Sequence, residues 1–133
     1  MQLTYEDYKG TTKSLTFEKM DALHTQILSE IGTDDDANEL YDELIRKATD
    51  YAMFRAKWFL WDREMKREQD ESRSSCHNSL IVKFNMLAKY LKLQGKEALW
   101  RDELGYEEDD RYNRKVIGDF ACYLVFVNSI NAR

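Results

Sequence analysis

The stretch YAMFRAKWFLW, residues 51–61, decides the fold. Its residue types favour helix, yet apolar side chains would point in nearly every direction around that helix. A surface helix carries one apolar stripe, whereas a helix that is apolar on several sides is enclosed by neighbours or meets a partner. Tyr51, Ala52 and Phe59 share one side and continue a stripe through Leu40, Leu44 and Ala48. Phe54, Trp58, Trp61 and Met65, spaced four, three and four, share another. The element therefore reads as the central helix of a bundle, with the first stripe in the core. The second stripe has a plainer reading, further packing inside the bundle. Its sharper reading is a dimer or partner surface, because Trp and Met are favoured at such patches.

Outward from this stretch, no glycine or proline interrupts the chain between Thr33 and Arg73. The pattern predicts one helix over 34–71, about 57 Å long at roughly 1.5 Å per residue, with a kink as the alternative. Thr33 is placed to cap it, and Asp34, Asp35 and Asp36 suit the positive end of its dipole. Upstream, Phe17, Met20, Leu23, Ile27, Leu28 and Ile31 recur at three- and four-residue spacing, predicting a helix over 16–31 that stops at Gly32. Residues 1–15 read as a flexible or loosely docked lead. Downstream, SRSSCHNS (72–79) reads as a turn in which Ser74, Ser75 and Asn78 compete as caps. A helix over 77–94 follows, with Leu80, Ile81, Phe84, Leu87, Ala88 and Leu91 inward and Gly95 as its end. KEALWRDELG is a short amphipathic turn or helix closed by Gly105. The acids of YEEDDRY lead into a last helix over 110–131, carrying Val116, Ile117, Phe120, Tyr123, Leu124, Val127 and Ile130. ACYLVFV within it would also suit a strand, but no second strand exists to satisfy its backbone. The expected fold is all-α, a bundle of four main helices with a short connecting helix, forming a single domain over 16–133.

Composition agrees. The chain has 133 residues, no proline and five glycines, and is 43% hydrophobic and 34% charged, which is a globular balance. A net charge of −5 makes a poor general binder of phosphate backbones and is too weak to suggest a DNA mimic. The two cysteines, Cys76 and Cys122, form no CxxC motif, so neither zinc nor a redox pair is signalled. MQLTYEDYKGTTK lacks the basic and apolar blocks of a signal peptide. VIGDFACYLVFV is too short for a membrane span and contains Asp119. A cytoplasmic setting without membrane attachment is expected.

Motifs for chemistry are sparse. Asp21 and His24 stand three apart, but di-iron bundles repeat Glu-x-x-His on two helices and add further carboxylates. His77 has no acid at the matching offset, so both histidines read as boundary residues and no metal ligand is assigned. Glu68-x-x-Glu71 and Glu107-x-x-Asp110 superficially match the carboxylate pairs of all-helical nucleotide pyrophosphohydrolases. Both pairs lie in polar segments, where solvated charge is the simpler account. Cys76 beside His77 suggests an activated thiol, yet adjacent helical residues point about 100° apart. Cys122 reads as an ordinary buried small residue. LAKYLKLQGKEALWRDELGY could fold as helix, glycine turn and short helix, with Lys89, Lys92, Lys96 and Arg101 toward DNA. A denser acidic cluster, Glu97, Asp102, Glu103 and Glu107 to Asp110, stands beside it and would repel a duplex. Arg55 and Asp119 interrupt apolar runs, and a buried charge left alone is costly, so each is expected to find a partner, the other first. Gly118 and Cys122 offer a small face for close helix approach.

HNSLIVKFNMLAKYLKLQGKEALWRDELG and DDRYNRKVIGDFACYLVFVNSINAR resemble a family of small proteins carried on conjugative and related mobile elements of Gram-positive bacteria. The resemblance contains no motif of known chemical meaning, so no activity, cofactor or functional residue carries over. It implies an all-helical fold, an intracellular setting and an accessory role on a mobile element. The leading functional reading is a non-catalytic interaction or regulatory protein. Its candidate surface for a protein partner or second copy is Phe54, Trp58, Trp61 and Met65. A small metal-dependent nucleotide hydrolase and a DNA-associated accessory factor are the alternatives.

Overall fold

The computed structural model describes residues 16–104 and 114–131, and within them the fold is all-α, with no strand. The helices are α1 (Phe17–Ile31), α2 (Asp35–Leu60), α3 (Arg63–Glu68), α4 (Asp70–Leu93), α5 (Trp100–Glu103) and α6 (Arg114–Asn131). Four of them are long. ACYLVFV lies wholly within α6. Residues 1–15 and 105–113, which include Gly105, Glu107 and Asp110, lie outside the described residues.

Local chemistry sets the ends. The Thr16 hydroxyl accepts from the Lys19 N–H and starts α1. Gly32, at φ 52°, donates its N–H to the Leu28 carbonyl and stops it. The cap of α2 is Asp34 rather than Thr33. Its carboxylate accepts from the Ala37 N–H at 3.1 Å and from the Tyr90 hydroxyl at 2.8 Å. One side chain thus satisfies a free amide of α2 and ties that helix to α4.

The single helix expected over 34–71 is broken at Trp61–Asp62. Trp61 takes an extended backbone, and Asp62 caps α3 by accepting from the Met65 N–H at 2.9 Å. A carboxylate cap at the head of a charge run carries no mark that distinguishes it from the other acids there. The turn expected at 72–79 is helix, and α4 begins at Asp70 rather than near 77. Ser74, Ser75 and Asn78 therefore sit inside a helix. His77, Leu80 and Phe84 are buried on one face of α4, and that packing carries the helix through residues of modest propensity. Phe59, expected in the core, is 62% exposed, and Leu28 also faces outward.

α2 is the spine. It runs antiparallel to α4, paired by Asp34 with Tyr90 and by Glu43 with Lys83. It is also antiparallel to α6, paired by Tyr41 with Asn128 and by Arg55 with Asp119. α1 folds back along the first half of α2 and closes the core with Met20, Leu23 and Ile27, all fully buried. Opposite them lie Leu44, Ala48, Leu80, Phe84, Leu87, Phe120 and Leu124. Gly118 lets α6 approach the ring of Tyr51, since a Cβ there would stand 2.5 Å from its hydroxyl oxygen. With 15 residues against 26, α1 is about 22 Å long and α2 about 39 Å. The start of α1 is marked by Phe17, whose ring meets Tyr123 of α6 edge-on. The last turns of α2 extend past it.

Candidate functional site

Where α2 outruns α1, its inward side opens into a cleft of about 370 Å³. Tyr51, Phe54, Arg55, Trp58 and Phe59 of α2 line it, with Arg73 and His77 of α4. The walls are aromatic. The Phe54 ring lies 6.2 Å from Trp58 and meets Trp61 edge-on at 5.5 Å. Trp58 and Trp61 are 6.3 Å apart. The guanidinium of Arg73 sits 4.8 Å over the Trp58 ring, a cation–π contact. At the floor, Tyr51 and His77 meet edge to face at 4.7 Å.

Three of the four stripe residues are therefore together, but not by helical spacing alone. Trp61 reaches Phe54 from the turn that ends α2. Met65 is carried on α3, beyond the Asp62 cap, so its four-residue spacing from Trp61 places it on no shared helical face. Trp58 and Trp61 are half-buried. Phe59 and Leu60 beside them are 62% and 87% exposed.

Arg55 crosses one side of the cleft. Its Nη2 pairs with Asp119 Oδ1 at 2.8 Å, as the two isolated charges in the sequence suggested. Its Nη1 donates to Cys122 Sγ at 3.6 Å. Burial works against the Arg55 charge, but the Cys122 sulfur, the Asp119 carboxylate and the Tyr51 hydroxyl outweigh it and hold the pKa above the usual value. Burial pushes the Cys122 thiol upward despite Arg55. Cys76 is likewise raised, first by burial and then by Asp50, so neither sulfur is an activated thiolate. The Cys76–His77 neighbours serve different surroundings, with His77 packed under Tyr51.

The other candidate groups do not converge. Asp21 accepts from the Tyr123 hydroxyl at 2.9 Å, whereas His24 Nε2 bonds the Tyr41 hydroxyl at 2.9 Å. Asn128 donates to that same hydroxyl at 3.2 Å, so His24, read from the sequence as a boundary residue, is part of a polar chain linking α1, α2 and α6. Glu68 and Glu71 are exposed on different helices, either side of Gln69. Among the described residues no three His, Cys, Asp or Glu side chains gather around one point.

Arg101 leaves the basic row proposed for DNA. It is buried and donates from Nη2 to Asn85 Oδ1 at 2.8 Å. Lys89, Lys92 and Lys96 remain on the surface. The corner they flank is docked on α1. Glu30 accepts from the Ala98 N–H at 2.9 Å and from Trp100 Nε1 at 2.8 Å. Glu30 and Asn85 are not marked in the sequence, since their partners lie far along the chain or across a turn and periodicity carries no record of them.

The buried polar chain yields a pH prediction. Burial lowers the pKa of His24 from 6.5, with Asp21 partly opposing it. The folded state then binds fewer protons than the unfolded state near that pH. Stability is full above about pH 6.5 and falls as the solution is acidified through and below it. Chemical denaturation from pH 7.5 to 5 should show this loss. A His24→Gln chain should show a flatter dependence, and identical slopes would remove His24 as the cause.

No family model, curated protein or solved structure matches this chain. Among the described residues no helix is long and apolar enough to cross a membrane.

Proposed function

We propose that this protein is a non-catalytic helical interaction or regulatory protein that acts by holding another protein at the far end of α2. The resemblance of its C-terminal half favours an accessory role on a mobile element as the setting. One observation carries the reading. Phe59 and Leu60 are exposed at 62% and 87% directly beside the half-buried cluster of Phe54, Trp58 and Trp61. Single exposed apolar residues are ordinary on any surface. An apolar end continuous with ordered aromatic side chains is the composition of an association hot spot, where Trp anchors and neighbouring contacts exclude water. The charges from Arg63 to Arg73 supply a polar rim. With Met65 carried on α3, the reading centres the surface on Phe59, Leu60 and Trp61.

The test compares the chain with a Phe59→Lys, Leu60→Lys variant. Both residues are exposed, so helix content and the denaturation midpoint should stay nearly unchanged. Native-host proteins retained by the immobilised chain should fall by roughly tenfold or more with the variant, a change of about 1.4 kcal/mol. Sedimentation at rising concentration gives the same comparison for a second copy. Equal retention and equal sedimentation by the two chains would overturn the reading.

A further inference from the structure

The cleft at the end of α2 combines a closed floor, aromatic walls and two cations held in different ways. The floor is Tyr51 on His77, both buried. Phe54 and Trp58 stand beside it as walls. Arg55 is already engaged. Its guanidinium pairs with Asp119 at 2.8 Å, donates to Cys122 and lies 5.8 Å over the Phe59 ring. Its charge is thus balanced within the bundle. Arg73 differs. Its guanidinium stands 4.8 Å over the Trp58 ring, which fixes the charge at the wall but supplies no oxygen to its N–H groups. Its ion-pair partner, Asp70, is 3.9 Å away, beyond hydrogen-bonding distance, and both side chains are more than half exposed. A guanidinium placed in this way presents the planar fork that matches a carboxylate with two parallel bonds.

Size and charge then select the ligand. A volume of about 370 Å³ is at the small end of the range for small-molecule sites, which are walled by aromatic side chains and carry few placed polar groups. Rings gain from edge or offset contact, so these walls favour a planar aromatic body over an aliphatic one of equal area. Beyond the balanced Arg55–Asp119 pair, Arg73 can neutralise one negative charge, and Asp70 stands close enough to repel a second. A monocarboxylate fits this field, whereas a phosphate dianion does not. The closed floor suits a free molecule rather than a length of peptide. We propose that the cleft is a binding site for a small aromatic carboxylate, its ring against Phe54 and Trp58 and its carboxylate on Arg73. This site goes beyond the proposed function and does not depend on it, since the exposed Phe59 and Leu60 can hold a protein whether or not the cleft is filled.

The experiment titrates naphthoate into the full chain at neutral pH and follows three indole N–H resonances. Trp58 and Trp61 report on the cleft, while Trp100, buried and bonded to Glu30, is the internal control. Naphthoate should shift the Trp58 and Trp61 signals to saturation and leave that of Trp100 in place. Naphthylmethylamine, with the opposite charge, and cyclohexanecarboxylate, without the aromatic ring, should each bind roughly tenfold more weakly or worse. Naphthyl phosphate should also bind more weakly than naphthoate. Arg73→Gln should weaken naphthoate by about tenfold, while neutral naphthalenemethanol binds parent and variant alike. Arg73→Lys, which keeps a cation at the wall, should recover part of the loss. The Arg73 side chain is half exposed, so an unchanged Trp100 signal and denaturation midpoint should show α4 still folded in both variants. Trp58 and Trp61 signals that ignore naphthoate, equal affinity for the amine, or an Arg73→Gln chain that binds naphthoate as the parent does would each overturn the site. Tighter binding of naphthyl phosphate would overturn the choice of a monocarboxylate. A peptide ending in phenylalanine that binds where naphthoate does not would give the cleft to a protein terminus and overturn it equally. No partner protein enters these measurements, so the cleft ligand and the proposed protein surface can fail separately.

Discussion

Arg55→Met should lower folding stability by about 3–5 kcal/mol, read as a fall in the denaturation midpoint at unchanged slope. The size follows from what is left behind. Asp119 has no exposed side-chain surface, and its Oδ1 receives Arg55 Nη2 at 2.8 Å. Methionine fills a similar volume but returns no charge, so the carboxylate must stay buried without its cation or take up a proton. The Cys122 sulfur, which receives Arg55 Nη1, is no substitute, because burial already keeps that thiol neutral. Reciprocal removal is milder. Asp119→Leu leaves Arg55 with a fifth of its side chain still in solvent, where the guanidinium recovers hydration. The double variant, Arg55→Met with Asp119→Leu, removes both desolvation penalties and should recover most of the loss. A replaced buried pair is often neutral or better by about 1–4 kcal/mol. A double variant as unstable as Arg55→Met alone would show that the loss comes from packing against Tyr51 and Phe59 rather than from the charge.

This pair also shows what was legible in the sequence. A lone arginine in YAMFRAKWFLW and a lone aspartate in VIGDFACYLVFV each break an apolar run. The cost of leaving either unpaired is large enough to predict a partner across 64 residues of chain separation. Helix identity was legible for the same kind of reason, since one apolar stripe per segment leaves few alternatives. What periodicity could not carry was the chain's direction at Trp61–Asp62. There a single carboxylate bond to the Met65 N–H outweighs the continuity of a long polar helix, and the acids and bases from Arg63 to Arg73 look equivalent by composition. The candidate surface suffered directly. Helical spacing groups Phe54, Trp58 and Trp61 correctly, but the same spacing carries on to Met65 across a helix end. The cleft leaves no mark in the sequence because it depends on the unequal lengths of α1 and α2 and on Arg73 arriving from a helix whose serines and asparagine resemble a turn.

The corner at Glu30 is held by packing that the sequence pattern does not record. LKLQGKEALWRDELG has lysines around a glycine turn, which could serve as a nucleic-acid handle, beside acids that argue against that use. Its Trp100 is fully buried, packed near Phe84 at 6.4 Å, with its indole N–H held by Glu30. Trp100→Ala should therefore cost about 3–5 kcal/mol, the range for a large aromatic removed from a core. Trp100→Phe keeps most of the apolar volume but leaves Glu30 Oε1 without its donor, so its cost should be near 1–3 kcal/mol. Glu30→Gln retains an acceptor for one of the two bonds and should fall at the lower end of that range. Ala98 adds a backbone constraint, since its φ of 49° is one that side chains rarely adopt, and the Glu30 bond to its N–H helps to hold it there. Ala98→Gly should then be tolerated or stabilising, whereas a β-branched residue at 98 should add to the loss. If Trp100→Ala instead left stability intact while abolishing retention on DNA at low salt, the corner would be a recognition element, and burial of Trp100 against α1 would be the wrong account of why a tryptophan stands there.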